Sequence, residues 1–166
     1  MKIGMTVKEF RPESFKRLYM WEVMLPDIGG IPGSTIGRYC QNVQFGDYGM
    51  QEVDRVKYGP YRTGYAGAFE VTEVTMTFLL PSPDVVSAYF YAWRDLVISK
   101  GGAYFPKGNY AKVLNCLLYD TTGAEVDGFK LRGAFPKTVP TYDLAYSSED
   151  VIKVPIVFNV DVVERY

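Results

Sequence analysis

The stretch from residue 152 to residue 162 alternates apolar and polar side chains, and this alternation constrains the fold more than any other feature. The odd positions include Lys153, Asn159 and Asp161. The even positions are all apolar: Ile152, Val154, Ile156, Phe158, Val160 and Val162. A period of two places the two sets of side chains on opposite faces of a β-strand. We therefore expect a sheet that covers a core with one face and meets water with the other.

One helix is predicted, starting at Ser82-Pro83-Asp84 and ending before Gly101-Gly102. Ser82-Pro83-Asp84 offers a capping hydroxyl, a proline whose fixed φ suits the first turn, and an acid near the positive end of the helix dipole. Apolar residues then recur every three or four positions, and Gly101-Gly102 is expected to end the helix. Trp93 lies on the apolar stripe, so we expect it to anchor the core.

Apolar runs bounded by turn residues predict further strands, at 15–25, 36–45, 68–80, 110–119 and 124–131. The alternation changes phase near Thr72, which indicates either a bulge or a hairpin that leaves the body and rejoins it. About eight strands and one helix favour a mainly β fold of two packed antiparallel sheets, as a sandwich or partial barrel. With 166 residues, the chain fits a single domain, 1–166.

Residues 46–67 carry an unusual mixture of aromatic, apolar and charged side chains, interrupted by glycines. The large apolar or aromatic members are Tyr48, Met50, Val53, Val56, Tyr58, Tyr61 and Tyr65. A flexible surface loop is the simpler interpretation, but exposed apolar clusters usually mark contacts between proteins. We predict that this segment is a projecting arm and that these seven side chains contact another subunit.

Several classes of function are disfavoured by what the sequence lacks. It contains no histidine, so the Ser-His-Asp and Cys-His constellations and the commonest metal ligand are missing. Cys40 and Cys116 are far apart and fit no metal-ligand spacing, and no phosphate-binding glycine motif occurs. The formal net charge of −1 and the lack of a basic run argue against tight binding of nucleic acid. We expect no enzymatic activity, no cofactor and no metal.

No apolar run approaches the roughly 18 residues of a membrane-spanning helix, and the first residues lack the apolar core of a secretory signal. We therefore expect no membrane anchor, and a chain that is made and kept in the cytoplasm unless it leaves inside something larger.

Several short motifs occur in an order that resembles the tail tube proteins of contractile-tailed bacteriophages, over most of the chain. They are an Arg11-Pro12 lead-in, a glycine-rich excursion, a strand that runs into a Trp-bearing helix, Gly101-Gly102, the turn Gly133-Ala134-Phe135-Pro136 and the stretch Leu144-Ala145-Tyr146-Ser147. The resemblance implies six subunits in a ring, rings stacked into a tube, and inner strands that join one large intersubunit barrel. It further implies a surrounding sheath, baseplate and terminator partners, location in the virion tail, and transient passage of duplex DNA.

If the even face of 152–162 packs inward, the residues that face the bore are Thr75, Thr77, Asn159 and Asp161. Asp161 has an alternative role, as an ion-pair partner between subunits. Two rival functions remain at this point. One is the tube of a type VI secretion system or phage-derived bacteriocin, and the other is a monomeric sandwich that binds sugar or peptide through residues 46–67.

Overall fold

The computed structural model describes residues 20–71, 73–144 and 150–166. The strands are β1 (Trp21–Met24), β2 (Cys40–Phe45), β3 (Tyr48–Tyr58), β4 (Tyr61–Val71), β5 (Val74–Leu79), β6 (Lys112–Tyr119), β7 (Glu125–Pro136), β8 (Lys153–Asn159) and β9 (Val162–Arg165). The helices are α1 (Gly33–Gly37), α2 (Val85–Val97) and α3 (Lys107–Tyr110).

Seven of the strands form one antiparallel sheet in the order β1-β6-β7-β8-β5-β2, with β9 also paired to β7. Strand β7 belongs to both halves of this sheet, because its residues up to Ala134 pair with β6 whereas Phe135 and Pro136 pair with β8. The first layer is therefore β1, β6, β7 and β9. The second layer is β2, β5, β8 and the end of β7.

The two layers enclose one core with helix α2. Trp93 is fully buried and lies 5.9 Å from the ring of Phe158, and Phe78 and Phe90 meet edge to face at 5.1 Å. Phe45 of β2 and Phe129 of β7 are 4.9 Å apart, which joins the second layer to the first. Each fully buried side chain of this kind contributes about 1.5–3 kcal/mol relative to exposure. The predicted mainly β fold with one long helix and two packed antiparallel layers is confirmed, as is the core position of Trp93.

The start of helix α2 differs in one detail from the prediction. Asp84, not Ser82, is the capping residue, since its carboxylate accepts a hydrogen bond from the amide of Ser87 at 3.0 Å. The helix also ends at Val97, before Gly101-Gly102, because Ile98 is extended and bridges to Tyr104.

Several strand boundaries also differ from the prediction. The strand predicted over 110–119 begins at Lys112, because Tyr110 ends the short helix α3, and the strand predicted over 124–131 runs from Glu125 to Pro136. The predicted strand 36–45 begins only at Cys40, because Ile36 is fully buried within the short helix α1. Strand β1 begins at Trp21, and the part of the predicted strand 15–25 before residue 20 lies outside the described residues.

The alternation of the last strand holds only as far as Val160. Val160 and Val163 are buried, whereas Val162 is 44% exposed. The phase reverses because β8 pairs with β5 in the second layer and β9 pairs with β7 in the first, so the chain changes layers between them. The prediction that the even-numbered side chains face the core is therefore correct from Val154 to Val160 and wrong for Val162.

Strands β3 and β4 form a separate two-stranded ribbon, whose residues 48–71 leave the body and return to it. The amide of Gly46 donates to the carbonyl of Glu73 at 3.1 Å and closes the base of this ribbon. The phase change near Thr72 therefore reflects a hairpin that leaves the body and rejoins it, while residue 72 itself lies outside the described residues.

Candidate functional site

The outward face of the second layer collects side chains from three adjacent strands. Residues directly opposite each other in antiparallel strands share a face. Thr75 lies opposite Gln44 and Val157, and Thr77 lies opposite Asn42 and Pro155. We call this surface the outward face; it comprises Asn42, Gln44, Thr75, Thr77, Lys153, Pro155, Val157 and Asn159.

The chemistry of the outward face is polar but nearly uncharged. Amides and hydroxyls supply its polar groups, and Lys153 supplies a positive charge at one end. Within the eight residues that define it, there is no carboxylate. Such a face hydrates readily but offers few fixed charges to a passing polyelectrolyte. The structure thus brings together three of the four residues predicted to line a bore, Thr75, Thr77 and Asn159, although whether they do so stays a prediction.

Asp161 is placed differently, in the link between β8 and β9. Its carboxylate accepts from Nζ of Lys107 of the same chain at 2.5 Å, and its amide donates to the carbonyl of Arg132 at 3.0 Å. A Cβ on Gly133, whose φ is +67°, would lie 2.2 Å from its Oδ2. These contacts give Asp161 a role within the fold of this chain, and an additional role at a bore stays a prediction.

A groove with a volume of about 810 Å³ lies where the ribbon joins the outward face. We call it the base groove; its lining residues are Gln44, Phe45, Gly46, Asp47, Glu73, Thr75, Asn159 and Val160. The carboxylate of Glu73 forms an ion pair with Lys137, which follows β7. The base groove therefore combines an aromatic ring, amides and two carboxylates at the root of the projecting ribbon.

The ribbon itself presents large apolar side chains to solvent. Met50 is 67% exposed and Tyr61 is 75% exposed, and Val53 and Tyr65 are exposed as well. The side chains of Tyr48, Val56 and Tyr58, also predicted as contacts, lie outside the described part of the structure. Sequence reasoning missed Phe69, which is exposed opposite Met50. The signal was available, because Phe69 continues the same aromatic pattern just past residue 67.

Cys116 is buried and Cys40 is half-buried, and both thiols are chemically quiet. Burial raises the pKa of Cys40 to about 12 and that of Cys116 to about 12, so both stay protonated near neutral pH. Among the described residues, no group of three histidine, cysteine or acidic side chains could hold a metal ion. Within the same residues, none of the helices has the length and apolar character needed to cross a membrane.

Comparison of the sequence with protein-family models and with curated proteins gave no match. Solved structures, in contrast, share the fold. A chain of the sheath/tube terminator of the extracellular contractile injection system PVC, in its extended state, has a TM-score of 0.66 at 16% identity, covering 93% of this chain and 98% of that one.

Two further cryo-EM structures are similar to the same degree. The tube-terminating cap of the anti-feeding prophage gives a TM-score of 0.67 at 15% identity, over 93% of this chain and 92% of that chain. A chain of the PVC sheath-tube complex gives 0.64 at 15% identity, over 98% and 99%. The fold of this chain is thus shared with chains of contractile injection assemblies: a sheath/tube terminator, a tube-terminating cap and a sheath-tube complex.

Proposed function

We propose that this chain is a structural subunit of the inner tube of a contractile phage tail or a related contractile injection system. Copies form six-membered rings, the rings stack into a tube, and the tube lies inside a contractile sheath. In the phage version, the tube conducts DNA into the host and is part of the virion, after assembly in the cytoplasm. The role is structural and requires no catalysis, cofactor or metal.

One observation carries this proposal: the fold matches a chain of a sheath-tube complex across 98% of this chain and 99% of that one. A match over nearly the whole of both chains supports the same overall architecture. The nearly neutral outward face fits the wall of a conduit, because a passing polymer meets few fixed charges there. The exposed apolar ribbon fits a role between subunits, since such surfaces usually mark contacts.

A small antiparallel barrel is filled by its own side chains, so a passage for a polymer requires strands from several copies. In the proposed tube, each of the six copies turns the outward face of its second layer toward the bore. Thr75, Thr77 and Asn159 contribute to that lining. The sheath then surrounds the ring, and baseplate and terminator proteins contact its two ends. Duplex DNA passes without specific binding.

A tube terminator is a second candidate, because the TM-scores of the sheath/tube terminator and the tube-terminating cap, 0.66 and 0.67, are no lower than the 0.64 of the sheath-tube complex. The two functions differ in one physical property. A tube subunit adds rings without limit, whereas a terminator presents one face that no further ring can join.

Sedimentation and electron microscopy of the purified protein test both. We expect hollow rods of variable length for a tube subunit and single or paired six-fold rings for a terminator. A protein that stays monomeric at its highest soluble concentration, with and without precipitant, contradicts both and favours a monomeric sandwich that binds a ligand through the ribbon. The cargo of a secretion or bacteriocin system is distinguished from DNA by the contents of purified particles.

A further inference from the structure

The ribbon formed by β3 and β4 separates opposite charges along its length. Among its described side chains, Lys57 and Arg62 lie beside the turn at the tip, and both are exposed. Asp47 and Glu73 flank the ribbon at its base, where they line the base groove. Among the described side chains, those at the tip are thus cationic and those at the base are acidic.

The arrangement at the tip is unfavourable for an isolated ribbon. Lys57 lies directly opposite Arg62 in the register of β3 and β4. Like charges directly opposite each other in antiparallel strands destabilise the pair. Tyr61 stands next to Arg62 and is 75% exposed, so an aromatic ring accompanies the two cations. A partner that supplies negative charge would relieve the repulsion between the two cations. If it also buried the ring of Tyr61, it would remove that apolar surface from water.

The base groove has those properties. It is a groove of about 810 Å³ that is open to solvent, so a side chain of another copy could enter it, and Phe45 provides an apolar part of its lining. Glu73 uses one carboxylate oxygen, Oε1, for Lys137, and a carboxylate has further lone pairs with which to accept another donor. Asp47 is exposed beside it; it already has a contact of its own within the chain, and like Glu73 it has further lone pairs with which to accept another donor. Lys137 offsets part of this negative charge, so the groove is acidic through both carboxylates together.

The tip cannot occupy the groove of its own chain. Each strand of the ribbon has 11 residues, which corresponds to about 36 Å of extended chain between base and tip. The two surfaces therefore meet only between different copies. Because tip and groove are different patches, the contact is heterologous and repeats from one copy to the next.

We propose that Lys57, Tyr61 and Arg62 at the ribbon tip of one copy dock into the base groove of a second copy, against Asp47 and Glu73. This inference rests on the proposed self-assembly and names the receptor of the ribbon within it. The contact gives assembly a direction, since every copy offers one tip and one groove. It also makes assembly sensitive to salt, because screening shortens the reach of these charges.

Charge reversal on each side tests the pairing. One variant carries Lys57→Glu and Arg62→Glu, and the other carries Asp47→Lys and Glu73→Lys. Each variant alone places like charges on tip and groove, and we expect sedimentable assemblies to fall by about tenfold or more. In an equal mixture, every tip meets a groove of opposite charge, so assembly is expected to return as alternating copies. Lys100→Glu with Lys112→Glu lowers the net charge by the same amount as the tip variant, but away from the ribbon, and is expected to assemble as the unmodified protein does.

Circular dichroism of each variant establishes that it is folded before assembly is compared. If Glu73→Lys unfolds the chain because it faces Lys137, two single variants repeat the test with one charge pair. One carries Lys57→Glu and the other carries Asp47→Lys, and each is measured alone and in an equal mixture. Normal assembly of both reversed variants, or no recovery in the mixture, overturns the docking inference while leaving the tube proposal intact. Failure of the unmodified protein to assemble at all instead overturns the tube proposal.

Discussion

At the scale of single residues, Gly133 occupies the point at which β7 passes from the first layer to the second. Its φ of +67° lies in the region that disfavours any side chain, and a Cβ there would lie 2.2 Å from Oδ2 and 3.0 Å from Cβ of Asp161. Lys107 holds that carboxylate in an ion pair, so it cannot move away without breaking a contact. Gly133 therefore supplies both the backbone conformation and the space that the change of layer requires.

Replacing Gly133 with alanine tests this. We expect Gly133→Ala to lower the free energy of unfolding by about 3 kcal/mol, because the strained φ and the displaced Asp161 carboxylate add to each other. Gly123→Ala is the matched control, since Gly123 has φ +84° with nothing within 4 Å of the added Cβ, and its cost is about 1 kcal/mol. Urea unfolding followed by tryptophan fluorescence measures both. If the two variants lost equal amounts of unfolding free energy, the side chain of Asp161 would be shown to move aside without cost.

At the scale of elements, the ribbon and the body are physically distinct. The described residues of β3 and β4 pair with each other, and none of them belongs to the buried core. The stability of the body comes instead from the two layers and α2, through contacts such as Trp93 with Phe158. Its folding is therefore expected to be independent of the ribbon's outer part.

Shortening the ribbon tests that independence. Replacing residues 52–66 with Asn-Gly removes the tip while keeping the Met50–Phe69 pair at the base in register. We expect the same thermal unfolding midpoint as the full chain, within about 2 °C, and loss of sedimentable assemblies. Assemblies of normal length from the shortened chain would mean that the ribbon is only a surface feature. Loss of the body's cooperative unfolding would mean instead that the ribbon is part of the core.

The same elements show how far sequence reasoning reaches. Helix α2 and the inward residues of β5 and β8 were predictable because each has an unbroken period over its whole length. Thr75, Thr77 and Asn159 were brought to one face by the same rule. Val162 was misplaced because a local pattern carries no information about which strand is the partner, and the partner changes after Val160. Ile36 was assigned to a strand because a short buried helix and a short buried strand have the same apolar signature.

At the scale of the whole molecule, the outward face carries few charged side chains, and ion pairs lie at its margins. The outward face holds amides, hydroxyls and one lysine, whereas the joints at its margins hold ion pairs such as Lys107 with Asp161 and Lys137 with Glu73. A wall of this composition repeated around a ring presents few cations with which DNA could exchange its counterions. In the proposed tube, a polyanion would therefore slide along the bore without being held.

Adding one cation per copy to this face tests its position. Thr77 is suited to the change because it lies on the outward face and away from the base groove, whereas a lysine at Asp161 would face Lys107 and disturb the fold. We expect Thr77→Lys tubes to assemble normally and to retain short duplex DNA at low salt in a form protected from nuclease, because the added charges recur in every ring. Raising the salt from about 0.05 M to 0.5 M is expected to release it, as screening shortens to a few ångströms. Thr77→Gln, which adds length without charge, serves as the control and is expected to retain none. Retained DNA that nuclease digests fully would place Thr77 on the outside of the tube, and the absence of any retention would mean that the outward face does not line an accessible bore.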